Sequence, residues 1–219
     1  TNVAIQKTTF KYEIPYMLLI TAVLLMMGMT GNEITFIEGV ILWILFIAYL
    51  LYLYLLAKKG NDGGDEQSVK LYPVWKCLLF IVLGGVCVVI GSQLVVNGAT
   101  TIARACGMSE RFIGLTIVAF GTSLPELVTS VSAARKGNAG IAIGNIVGSN
   151  IFNILFVIGT VALICPVPFE SRFVIDTVVA ILCGVLLWGG TIRHKELRKP
   201  CGVVMLLCYA AYFVYLAVM

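Results

Sequence analysis

The sequence predicts an all-α polytopic membrane protein of about seven transmembrane helices. Three observations carry this reading. Of the 219 residues 60% are hydrophobic and only 12% charged, with a mean hydropathy of +1.00, well outside the soluble globular range. Several apolar runs reach the roughly twenty residues that cross a bilayer core. The basic residues also gather in alternate connections, as single crossings require.

The apolar runs lie at about 15–30, 35–57, 74–99, 111–135, 140–165, 171–190 and 201–218. A polar lead-in of about fourteen residues precedes the first, beginning Thr1-Asn2 without an initiator methionine or a signal-peptide pattern, which suggests a fragment or a trimmed chain. The long polar connection after the second run, rich in Gly, Asp and Lys and ending at Pro73, has linker composition. It divides the chain into 1–57, a linker at 58–73, and 74–219. Trp75 and Trp188 fall near predicted helix ends, where interfacial anchors belong. The cysteine count is odd, and Cys77, Cys87, Cys183 and Cys208 sit inside apolar runs, so they read as small packing residues rather than a disulfide framework.

If each helix crosses once, the N-terminus, the 58–76 loop, the Arg135-Lys136 turn and the 191–200 loop share one side. Twelve of the fifteen Lys and Arg residues lie there, among them Lys7, Lys11, Lys58, Lys76 and Arg198. The positive-inside bias makes that side cytoplasmic.

Of the eleven acidic residues, Glu126 alone falls deep within an apolar run. Near the bilayer midplane an ionised carboxylate costs roughly 2.5 to 3.5 kcal/mol on insertion scales, so it needs a partner or a wet cavity. Pro125 beside it removes a backbone N–H, and the carbonyl of Gly121 loses its helical partner. Thr122 and Ser123, four and three residues earlier, project hydroxyls onto the face of Glu126. A carboxylate, two hydroxyls and loosened carbonyls form an all-oxygen set, the kind preferred by hard cations such as Ca2+ and Na+. The plainer alternative is a protonated glutamic acid bonded to a neighbouring helix.

The fifth run supplies a second wall. Asn145, Ser149 and Asn153 recur every four residues and form one polar stripe, with Gly140, Gly144 and Gly148 on the adjoining face. Taken alone, the glycines read as a close helix-packing surface. The short turn at 136–139 makes the fourth and fifth helices antiparallel and places Glu126 and Asn153 at similar depth.

"GTSLPE" on one helix, followed after a short basic turn by "GNIVGSNIFN" on the next, resembles the alpha-repeat of the cation/Ca2+ exchanger superfamily, in particular its bacterial and archaeal sodium/calcium antiporters. The match covers about Gly91 to Gly159. The resemblance implies the C-terminal part of a ten-helix carrier of two inverted five-helix repeats sharing a midmembrane site. On that pattern the ion ligands fall on the backbone carbonyl of Ala119 and on Thr122, Ser123, Glu126, Ser149 and Asn153. The last of these is acidic in some relatives, so Glu126 is this repeat's only anionic ligand. Proton-coupled relatives tend to carry glutamate after the "GN" pair, where this sequence has "GNIVGSN".

Each motif occurs once. Helices 74–219 then make one complete repeat, and 1–57 the last two helices of a preceding one, whose missing N-terminal part would hold the partner motifs and a second glutamate. The implied activity is exchange of Na+ for Ca2+ by alternating access, with Ca2+/H+ exchange and K+-dependent Na+/Ca2+ exchange as alternatives. The ions are cargo, no permanently bound cofactor is implied, and the expected surroundings are a bilayer, with a prokaryotic inner membrane as the setting and no nucleic acid. The chain alone is expected neither to bind Ca2+ tightly nor to transport it.

Three rivals fit less well. A channel filter is usually a ring around an axis, which one broken helix beside a glycine-rich one does not suggest. A seven-helix photoreceptor lacks a lysine in 201–219. An intramembrane enzyme lacks a nucleophile or metal set, since the single histidine, His194, lies in a basic loop. Asp176 and Glu38 sit near predicted helix starts, and Asp62, Asp65 and Glu66 lack the spacing of an EF-hand loop.

Overall fold

A chain inside a bilayer has to pair its backbone polar groups internally, which leaves helices as the solution for separate spans. The computed structural model describes residues 3–58, 73–108, 110–192 and 195–218. Nearly all of the 58–73 linker, with Asp62, Asp65 and Glu66, lies outside the described residues, as do Arg193 and His194.

The helices are α1 (Ile14–Gly31), α2 (Phe36–Lys58), α3 (Val74–Ala105), α4 (Glu110–Ile113), α5 (Ala119–Thr122), α6 (Leu124–Arg135), α7 (Ala139–Phe152), α8 (Gly159–Ile164), α9 (Ser171–Ile192) and α10 (Lys199–Val218). π-Helical turns at Thr9–Glu13, Gly114–Val118 and Asn153–Ile158 join or extend them. Among the described residues, five helices are long and apolar enough to cross a membrane: Thr9–Gly31, Phe36–Lys58, Val74–Ala105, Ala139–Ile164 and Ser171–Ile192. Residues 116–122 and 124–135 make a sixth span bent by 49°, and Lys199–Tyr215 is a shorter apolar helix. Every predicted run is thus helical.

Two boundaries move. The first helix begins at Thr9 rather than near residue 15, because Thr9 is buried at 2% exposure and the π-turn carries the helix outward. The third continues past residue 99 to Ala105, where Gly107 at φ +76° closes it. There the Met108 N–H donates to the Ala103 carbonyl at 3.0 Å and the Gly107 N–H to that of Arg104 at 3.0 Å. This left-handed cap, natural for glycine, satisfies the terminal carbonyls.

Backbone contacts divide the chain into two units, residues 1–61 with 130–208 and residues 62–129 with 209–219. In the first, α1 packs on α9, and α2 on α8 and the π-turn before it. The partners of α1 and α2 therefore lie far along the chain, across the polar connection.

Lipid offers helices no hydrophobic reason to associate, so small residues and a few polar bonds hold them. A Cβ at Gly39 would come within 3.1 Å of the Gly159 carbonyl, and one at Gly159 within 3.2 Å of the Leu42 Cβ. Trp43 Nε1 donates to Thr160 Oγ1 at 3.2 Å, and Tyr16 Oη to the Leu45 carbonyl at 2.9 Å. Ile14, Ile20, Leu42, Val147, Ile151 and Leu155 fill the interior. Two short antiparallel pairs clamp the connections: β1 (Val3–Ala4) with β4 (Glu196–Leu197), and β2 (Glu33–Ile34) with β3 (Val167–Pro168).

In the second unit α3 lies against the π-turn Gly114–Val118 and α5. A Cβ on Gly121 would overlap the Val96 side chain of α3. Arg104 pairs with Glu110 at 2.6 Å across the α3–α4 turn.

Candidate functional site

In the second unit the apolar run 111–135 is interrupted at Ser123. α5 has only four residues and follows a π-turn directly. At its end Ser123 adopts φ −92°, ψ 0°, and its N–H is shared between the carbonyls of Phe120, at 3.1 Å, and Gly121. In an unbroken helix that N–H would serve the carbonyl of Ala119. Gly121, whose helical partner would be the missing N–H of Pro125, receives a share of it instead. The proline therefore ends the helix two residues ahead of itself, and the carbonyl displaced from its helical donor is that of Ala119.

α6 restarts at Leu124, with the Leu127 N–H donating to the Ser123 carbonyl at 3.0 Å. Glu126 occupies the first turn of α6, where the helix N-terminus favours a negative charge. Thr122 and Ser123 are exposed and Glu126 is half-buried. The break thus gathers Ala119, Thr122, Ser123 and Glu126 within two turns of one span.

In the first unit α7 carries Ser149 and leads into Asn153. Ser149 is half-buried, and its hydroxyl donates to the Ile146 carbonyl at 3.1 Å. The proton is thereby directed along the helix, and the oxygen lone pairs are left to accept. Asn153 is exposed and opens the π-turn Asn153–Ile158. Such turns widen a helix by one residue and recur at functional positions. Neither π-turn was legible in the sequence, since apolar periodicity does not separate a π-turn from α-helix.

Asn145, the first residue of the stripe, has a structural task. Its Nδ2 donates to Ser130 Oγ at 3.0 Å, and Ser130 Oγ donates to the Ala142 carbonyl at 3.3 Å. This fastens α7 antiparallel to the end of α6, as the short turn predicts. Gly137, at φ +81°, shapes that turn, with the Asn138 N–H reaching the Ala133 carbonyl at 2.9 Å. Ser130 was missed because a serine in an apolar helix has no signature until its partner is known.

The glycines of α7 differ in what approaches them among the described residues. A Cβ at Gly140 would meet the Gln6 side chain at 2.7 Å, but at Gly144 and Gly148 none of the described residues lies within 4 Å.

Among the described residues no three His, Cys, Asp or Glu side chains cluster. Taken separately, the broken span offers one carboxylate, two hydroxyls and a backbone carbonyl, and the α7 span a hydroxyl and an amide. These suit hard cations stripped of part of their water rather than soft transition metals.

The sodium/calcium exchanger protein family profile matches residues 76–218. The inner membrane protein YrbG of Escherichia coli is 31% identical over 216 residues, 92% of this chain and 65% of its own. The sodium/calcium exchanger MaX1 of Methanosarcina acetivorans is 38% identical over 142 residues, 64% of this chain and 41% of its own. A solved structure, the sodium/calcium exchanger from Methanococcus jannaschii, has a TM-score of 0.78 at 30% identity, covering 98% of this chain and 67% of that one. The chain therefore spans about two thirds or less of the length of these relatives.

Proposed function

The chain belongs to the sodium/calcium exchanger family, and on that premise we propose that it supplies half of the ion site of an antiporter exchanging Na+ for Ca2+ by alternating access. The observation that carries the reading is the break at Ser123. It leaves the Ala119 carbonyl without its helical donor beside Thr122, Ser123 and Glu126, inside a span otherwise apolar.

The proposed ligands are the Ala119 carbonyl, Thr122, Ser123 and Glu126 on the broken span, and Ser149 and Asn153 on the following one. Ca2+ takes six to eight oxygens, with affinity set by how many of them are charged, and this set holds a single carboxylate. A segment upstream of Thr1, the partner repeat, would add the remaining oxygens and a second carboxylate. The length of the relatives supports this, since the chain covers 65% of one and 41% of another.

Coupling needs no covalent chemistry. Several Na+ ions or one Ca2+ compete for the same oxygens, and occupancy neutralises Glu126 and lowers its cost at membrane depth. Only the loaded site then lets the carrier reopen on the other side, so each ion selects between conformations by its differential affinity. The distribution of basic residues supports a cytoplasmic N-terminus and 58–76 loop, and the likeness to an inner membrane protein of Escherichia coli supports a prokaryotic inner membrane as the setting.

The test is Ca2+ uptake into proteoliposomes of the intact protein under an outward Na+ gradient, then under a K+ or proton gradient, with Glu126→Gln beside it. Uptake that needs Na+ and disappears in the variant is the expected result. Uptake driven by protons alone overturns the coupling ion, and none under any gradient overturns the antiport reading.

A further inference from the structure

Apolar contact alone fixes the height of one membrane helix on another poorly, because lipid is as apolar as the side chains it competes with. The first unit holds the C-terminal end of α6 and all of α7, and here the two helices share a polar link. The buried residues of α6 are Ser130 and Ala133. Ser149 and Asn150 turn their side chains back to the Ile146 carbonyl within α7, whereas Asn145 reaches across to α6.

The link has a direction. Asn145 Nδ2 donates to Ser130 Oγ at 3.0 Å, and Ser130 Oγ passes its own proton to the Ala142 carbonyl at 3.3 Å. Ser130, 7% exposed, is thus acceptor and donor at once, which a hydroxyl can be and a methyl cannot. A shift of α7 by one turn toward Ala133 would set Asn145 against a side chain with no acceptor, and an amide unpaired away from water is costly. One buried polar residue selects a register between helices in the same way in coiled coils. Such bonds between membrane helices are weak on average, so the pair specifies position more than it stabilises.

We propose that Asn145 and Ser130 are positioning residues for the exchange. They fix the height and rotation of α7 on the end of α6, and so the places of Ser149 and Asn153, four and eight residues further on, without touching the ion. The inference rests on the antiport reading. A slip of one turn moves Ser149 by about 5.4 Å, more than twice a Ca2+–oxygen distance of about 2.4 Å.

The test is Na+-driven Ca2+ uptake by the intact protein in proteoliposomes, read as KM for Ca2+ and maximal rate, beside thermal unfolding. Removing a group that orients metal ligands typically costs about 10- to 100-fold in affinity or activity. Ser130→Ala is therefore expected to raise KM about tenfold, with the maximal rate within about twofold and the melting temperature little changed. Asn145→Leu does the same, and the double variant is no worse than either alone, as two residues acting through one bond require. Ser130→Thr keeps the hydroxyl and the original KM. If Ser130→Ala does not fold, Ser130→Cys, with a weaker donor and acceptor, takes its place. An unchanged KM with a lowered melting temperature makes the bond a matter of packing and overturns the role. A KM that rises only in Asn145→Leu puts Asn145 on the ion itself, and additive increases deny the shared bond; either overturns the pair. No uptake by the unaltered protein overturns the antiport reading, and this role with it.

Discussion

Glu126 sits in an apolar span, on the first turn of α6, beside hydroxyls and a carbonyl that cannot all be satisfied by lipid. Glu126→Gln keeps the shape and removes the charge. In the intact protein Na+-driven Ca2+ uptake is expected to fall by at least about 100-fold, roughly 2.7 kcal/mol at 1.36 kcal/mol per decade, with the melting temperature little changed. Comparable uptake by the variant in a flux assay would remove Glu126 from the site. Gly121 is constrained differently, because any side chain there overlaps Val96. Gly121→Val overpacks this contact, where such insertions typically cost about 1–3 kcal/mol. Loss of stability in thermal unfolding is the expected outcome, and Val96→Ala in the same chain should recover part of it.

At the scale of the element, a helix that must bend has to place its displaced polar groups somewhere. The broken span does so by turning the Ser123 N–H to Phe120 and Gly121. Pro125→Ala restores the N–H that Gly121 would use in a continuous helix. Transport is expected to drop about tenfold, since a loss of one or two kcal/mol in positioning is of that order, while the fold persists. A variant with unchanged flux would show that the break does not depend on the proline. The α6–α7 turn rests on Gly137 at φ +81°. Gly137→Val forces a β-branched residue into the left-handed region, at a cost of roughly 1–2 kcal/mol, and lowered thermal stability is the readout.

For the whole molecule, α1 and α2 find partners in α7 to α9, far along the chain. Association across such a distance is held by close glycine contacts, Gly39 at Gly159, and by single polar bonds such as Trp43 to Thr160. On the proposal that a partner repeat completes the oxygen set, the chain by itself is expected to bind Ca2+ poorly. Calorimetry on the 219-residue chain should show no micromolar Ca2+ binding, and the intact protein should show it. Micromolar binding by the chain alone would mean that its six proposed ligands suffice.

The membrane class, the helical nature of all seven apolar runs and the family resemblance were determined by the sequence itself. Span length is a count of apolar residues, and "GTSLPE" with "GNIVGSNIFN" is long enough to be specific. The polar residues 122, 123, 126, 149 and 153 were equally legible, because polarity inside an apolar run is costly wherever the run lies. Only the tertiary structure decided which backbone groups leave their helical partners, where the π-turns fall, that Asn145 is bonded to Ser130, and that no described residue lies within 4 Å of a Cβ at Gly144 or Gly148. Those outcomes depend on what approaches a helix from elsewhere in the chain, and one-dimensional periodicity records the face of a helix but not its neighbour.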